Sequence, residues 1–116
     1  MSRRSERIIK QAYERLARIR TSLNEIDYLS SGTLLERMKV CGNANCRCHR
    51  DPSGRHGPHY QWDRMKGGKL VHRNVTPEQA AFVRRAIANY RNVKKLLKAW
   101  EHETERLMDN EIARKP

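Results

Sequence analysis

Apolar side chains fall at Ile9, Ala12, Leu16, Ile19, Leu23 and Ile26, spaced 3, 4, 3, 4, 3. This heptad seam, with no Gly or Pro between Arg4 and Leu29, predicts a helix over 4–29, about 40 Å long. Ile8, Tyr13 and Ala17 widen the stripe and leave room for more than one neighbour. Ser30-Ser31-Gly32 supplies the stop. A second seam runs through Val83, Ala86, Tyr90, Val93, Leu97, Trp100, Thr104 and Leu107, broadened by Phe82, Ile87, Leu96 and Met108. It predicts a helix over 76–112, about 50 Å long. Thr76-Pro77-Glu78-Gln79 opens that helix with an N-cap hydroxyl, Pro at the first helical position and Gln three residues after the cap.

Between the seams, residues 33–75 lose the helical period. His59-Tyr60-Gln61-Trp62-Asp63 alternates, Lys66-Gly67-Gly68 is a turn signal, and Lys69–Val75 reads as a returning strand. Leu34–Val40 could add a third. The expected fold class is α+β, mainly α. A long antiparallel, coiled-coil-like helical hairpin carries a small β-ribbon (33–75) at its tip, in a single domain over 1–116.

Composition narrows the function. With 37% hydrophobic and 6% aromatic residues against 33% charged, and a mean hydropathy of −0.96, there is too little apolar material for a broad core or a walled substrate pocket, so no enzyme is expected. No apolar run approaches the roughly 20 residues a bilayer span needs. The start lacks the apolar stretch of a secretory signal, which gives a cytoplasmic expectation, nucleoid-associated if DNA is bound. The net charge is +12 with a pI near 10.3, which favours a polyanionic partner. Along the helices the signs segregate. In an antiparallel pairing the basic start (Arg3, Arg4, Arg7) meets the acidic end of the second helix, and Glu25 and Asp27 meet Arg84 and Arg85. Arg15, Arg18 and Arg20, with Arg91, Lys94 and Lys95, would extend the positive surface.

The middle segment also holds the chain's reactive residues. Cys41, Cys46 and Cys48 have the spacing C-x4-C-x-C, and His49, His56 and His59 follow closely. Three thiols cannot pair evenly as disulfides, and a reducing compartment disfavours such bonds. Three thiolates and one imidazole are a known tetrahedral zinc set. A small β-element with little core gains much of its folding energy from such an ion. His56 is the preferred fourth ligand, because His49 adjoins Cys48 and strains joint chelation, whereas the stretch through Pro52 and Gly54 allows a return; His59 is the reserve. Asp51 and Asp63, the acids nearest the cysteines and histidines, read as turn or surface residues, so a closed structural zinc site is expected and no catalytic residue is assigned. Around it lie Arg37, Lys39, Arg47, Arg50, Arg55, Arg64, Lys66, Lys69 and Arg73, a set suited to phosphate contacts. Tyr60 and Trp62 would either stack on bases or pack the ribbon onto the helices.

Gly32-Thr33-Leu34, Cys41-Gly42, Asn45-Cys46-Arg47-Cys48, His56-Gly57-Pro58, Gly68-Lys69 and Ala88-Asn89-Tyr90-Arg91 together resemble a family of small bacterial proteins of unknown function, often encoded beside transposases in mobile elements. The resemblance covers roughly residues 30–97 and implies metal-like positions at Cys41, Cys46, Cys48 and His56. His49 and His59 depart from the family's pattern. The resulting expectation is a non-enzymatic zinc-ribbon protein that binds nucleic acid, DNA before RNA, as an accessory or regulator of a mobile element, and that forms a homodimer. The competing expectation is a coiled-coil adaptor docking on a partner such as a transposase.

Overall fold

A computed structural model of the chain describes residues 2–112; the ends of the expected 1–116 domain, Met1 and residues 113–116, lie outside the described residues. The order is α1 (Arg3–Asn24), β1 (Thr33–Lys39), two single 3₁₀ turns (Arg47–His49 and Pro52–Gly54), β2 (His56–Lys66), β3 (Lys69–Val75) and α2 (Pro77–Asn110). Tyr28–Ala88 forms one compact unit, and the described residues before and after it form the other. Among the described residues, no helix is long and apolar enough to cross a membrane.

The unit Tyr28–Ala88 is built on an antiparallel sheet of three strands in the order β1-β2-β3. Gly67 and Gly68, both at positive φ (58° and 79°), close the β2–β3 hairpin with Lys66 opposite Lys69. A two-residue loop of this kind suits the right-handed twist of its strands and accepts glycine at both positions. Counting back from it sets Trp62 opposite Arg73 and Asp63 opposite His72, and on the other side Leu34 faces Trp62. Trp62, Val83 and Ile87 make the buried core, with Leu34 and Val75 packed against it. The Trp62 indole N–H donates to the Ser31 carbonyl at 3.0 Å. Gly32, at φ +112°, permits that approach: a Cβ there would stand 2.3 Å from the Asp63 carbonyl oxygen.

α2 begins with a reciprocal cap. The Gln79 N–H donates to Thr76 Oγ1 at 3.1 Å, and the Thr76 N–H donates to Gln79 Oε1 at 2.9 Å. Its first turns bury Ala80, Val83, Ala86 and Ile87, so the start of the second heptad seam covers a sheet.

In the other unit, α1 is capped by Ser2, whose side chain accepts from the Ser5 N–H, and it buries Ala12 and Ile19. Glu103 of α2, 2% exposed, accepts from Arg106 at 2.6 and 3.2 Å and from Arg15 at 3.3 Å. Burial alone would raise its pKa. The bonds from Arg106 and Arg15 outweigh that, and its carboxyl is held below the usual range. Tyr13 donates to Glu111 at 2.6 Å, and Asn89 to Asp27 at 2.9 Å.

These facts correct the expected fold class. A long helical hairpin with a small ribbon at its tip is not what forms: two helices accompany a three-stranded antiparallel sheet, and the sheet has its own core. The apolar period that opens at Val83 records that a helix face is covered, and for Val83 and Ile87 the cover is Trp62 of the sheet. α1 ends at Asn24, capped by the Glu25 N–H, before the seam position Ile26. Acids at Glu25 and Asp27 oppose the negative end of the helix dipole, and no basic residue sits in its last turn. Tyr28 instead packs against Phe82, the two rings tilted by 41° with centres 4.2 Å apart. Arg15, expected in a positive surface, is bonded to Glu103.

Candidate metal centre and the basic surface around it

The loop from β1 to β2 gathers its reactive side chains at one point. Cys41 follows β1, Cys46 caps the first 3₁₀ turn, Cys48 lies inside it, and His56 is the first residue of β2. Each element has a local cause. Asp51 accepts from the Ser53 N–H at 3.0 Å and starts the second turn at Pro52. Arg47 reaches over the loop to Asp51 (3.2 Å) and Ser53 Oγ (2.9 Å), lying against Gly54, where a Cβ would be 2.8 Å from its Cγ. At the start of β2 the register slips. Arg37 faces His59, yet Lys39 faces His56, so Gly57 and Pro58 together oppose Met38. That bulge bends the strand end carrying His56. Gly57, at φ +142°, lies where a Cβ would sit 2.8 Å from the Arg37 carbonyl oxygen.

The ligand atoms of Cys41, Cys46, Cys48 and His56 all lie within 4.8 Å of one another, close enough to hold a metal ion. Cys41 Sγ and Cys48 Sγ are 3.7 Å apart, and Cys46 Sγ is 3.3 Å from His56 Nε2. A tetrahedral zinc with Zn–S near 2.3 Å has S···S edges of about 3.8 Å and slightly shorter S···N edges. These two edges lie close to that geometry, and every other pair of ligand atoms is within 4.8 Å. Backbone donors already face the sulfurs, with the Cys41 N–H 3.2 Å from Cys48 Sγ. The Cys46 thiol is held down to about 6, first by the Cys48 backbone N–H and then by His56 and the neighbouring thiols. Cys48, 2% exposed, is pushed up by its burial, partly offset by the Cys41 N–H.

The two other imidazoles weighed as ligands are placed elsewhere. His49 donates Nε2–H to the Cys41 carbonyl at 2.8 Å, which braces the loop. His59 sits within β2 opposite Arg37, outside the cluster.

The nine basic residues do not form one equivalent set. Arg47 is tied into the loop, and Arg64 lies 4.0 Å above the Trp62 ring as a cation–π pair. Trp62 is core, which settles its alternative in favour of packing. Arg37, Lys39, Arg50, Arg55, Lys66, Lys69 and Arg73 are exposed. The sequence reading missed a polar cluster on the outer face of the sheet. His72 Nδ1 (2.6 Å) and Gln61 Nε2 (2.7 Å) both donate to Asp63 Oδ1. The bonds from Gln61, then His72, lower the Asp63 pKa, aided by the field of Arg37. Register counted from Gly67-Gly68 would have found the Asp63–His72 pair.

A family described as a domain of unknown function (DUF6788) matches residues 3–85. No curated protein and no solved structure matches the chain.

Proposed function

The chain belongs to the DUF6788 family, and on that footing we propose that it is a non-enzymatic nucleic-acid-binding protein whose strand unit is pinned by a structural zinc ion. DNA is its first target, and it serves as an accessory or regulator in a mobile element. The observation that carries the reading is the convergence of three sulfurs and one imidazole nitrogen within 4.8 Å, in a loop that also carries exposed Arg50 and Arg55. A set of four protein ligands fills a tetrahedral zinc and leaves no position for substrate, so it supports a structural role. Zinc is the favoured ion because soft thiolates with one imidazole in tetrahedral array select it over oxygen-loving cations. When bound, it cross-links β1 to the start of β2. The residues of the chain then hold the cations of that segment in fixed positions toward phosphates.

A second reading, association through the helical unit with another copy or with a partner such as a transposase, is favoured by exposed Leu97, Met108 and Ile112 on and after α2.

Two measurements test the proposal. Purified protein should carry one equivalent of zinc, and Cys41→Ser well under one. Retardation of DNA should weaken steeply as salt rises, with a slope set by the phosphates contacted. Arg50→Ala with Arg55→Ala should flatten that slope by about 2. Metal-free protein under reducing conditions removes the zinc; binding indifferent to salt removes the phosphate interface.

A further inference from the structure

Resting on the nucleic-acid reading, we infer that the outer face of the sheet takes a single-stranded segment and seats one unstacked base in the cleft at the bulged end of β2. The geometry begins with side. Directly paired strand residues project to the same face. Trp62 and Leu34 occupy the face covered by Val83 and Ile87. The pairs Arg37–His59 and Gln61–Asn74 lie on the opposite face. Beyond the bulge, Lys39 and His56 continue that outer face. The metal loop therefore hands its strand end directly to this surface.

The outer face has the chemistry of a polyanion site. Arg37, Lys39, His59, His72 and Asn74 are all exposed. Its acid, Asp63, is already engaged by His72 and Gln61. A cleft of about 210 Å³ opens at the sheet end where β3 runs into α2, lined by Lys39, His59 and Asn74 of the outer face, by Pro58 and Pro77, and by Tyr60 and Val75 of the covered face. Lys39 and His59 supply N–H donors for a phosphodiester. The Asn74 carboxamide offers a donor and an acceptor side by side, the pair that reads a base edge. The Pro58 and Pro77 rings give the cleft apolar walls against which the face of a base can lie.

Shape decides between strand states. Duplex grooves are read by elements that protrude into them, such as a helix or a β-ribbon. This site is a recess, and what enters a recess is a base already turned out of its stack. The partner is therefore a single strand, or a looped or frayed end.

The test uses the full-length, zinc-loaded chain and fluorescence anisotropy with three probes: a short labelled DNA strand, the same sequence in RNA, and the DNA duplex. The single strand should bind at least about tenfold tighter than the duplex. Asn74→Asp, which places a negative charge in the cleft with little change of shape, should weaken single-strand binding about tenfold and duplex binding by less than about twofold. Lys39→Gln should act in the same direction. Zinc content and the thermal melt of each variant establish that it is folded, and His59→Gln replaces Lys39→Gln if that variant loses metal. Equal affinity for strand and duplex, or Asn74→Asp with unchanged single-strand affinity, overturns the inference while leaving nucleic-acid binding intact. Failure of all three probes at low salt overturns the underlying reading instead. Tighter binding of the RNA strand than of the DNA duplex supports the single-strand site as the DNA strand does.

Discussion

The two units of this small chain solve the same shortage of apolar material differently. The strand unit has a core of Trp62, Val83 and Ile87, backed by Leu34 and Val75, and gathers four side chains close enough to hold a metal ion. The helical unit has no such cluster among the described residues. It buries Ala12 and Ile19 and places one carboxylate, Glu103, under two guanidinium groups. On the proposed zinc reading, one unit depends on a ligand that solution conditions can remove. The other depends on a charge that only acid can neutralise. Their stabilities should therefore respond to different perturbations, and each contains one of the chain's two tryptophans, Trp62 and Trp100, as its own reporter.

Chelation should separate them most strongly. Structural zinc in small domains contributes on the order of 10 kcal/mol of binding free energy to the folded state. Stripping the metal should release the 41–56 loop and shift Trp62 emission, read in a Trp100→Phe background. Most of the helical circular dichroism should persist, because α1 and the later turns of α2 belong to the other unit. Simultaneous loss of both signals would mean that the units fold as one, and the contrast drawn above would fail.

The metal cluster was legible because ligand chemistry is local. C-x4-C-x-C with a trailing His restricts its own geometry, and the uneven thiol count excludes simple pairing. The expected third strand, Leu34–Val40, forms one residue earlier, as Thr33–Lys39. What misled was the second heptad seam. Val83 and Ile87 have the same spacing whether a helix or a sheet lies against them, so periodicity could not reveal that Trp62 is their partner. Charge misled in a related way. The sequence counts cations without showing which are occupied, and Arg15, Arg47 and Arg64 are held by Glu103, by Asp51 with Ser53, and by the Trp62 ring. Identifying those partners requires the fold.

A smaller effect, confined to the helical unit, is expected from Glu103→Gln. Leaving Arg106 and Arg15 without their shared anion should cost about 1–3 kcal/mol. The pH dependence has a definite sign. The folded carboxyl titrates lower than in the unfolded chain, so its contribution is complete above the unfolded pKa of about 4.3 and fades as pH falls toward the folded value. Trp100 melts in a Trp62→Phe background should lose stability from pH 6 to pH 3 in the parent and lose less in Glu103→Gln. Equal acid sensitivity in the two proteins would assign the effect to other carboxylates.

The smallest effect tests whether burial, and not bond length, sets these energies. Tyr13 Oη and Glu111 Oε2 are 2.6 Å apart, the same distance as the shorter Arg106–Glu103 contact, and both pairs lie in the helical unit. Tyr13 and Glu111 are exposed, however, while Glu103 is buried. Water competes for every atom of the exposed pair, and an unpaired Glu111 is simply rehydrated. Tyr13→Phe should therefore leave the Trp100 melt unchanged within its scatter at neutral pH. The bond to Glu111 raises the tyrosine pKa, so its contribution is present below the unfolded value and disappears as pH rises through the folded one. Any difference between Tyr13→Phe and the parent should thus vanish at strongly alkaline pH. A Tyr13→Phe loss as large as that of Glu103→Gln would show that short hydrogen bonds stabilise this unit regardless of solvent.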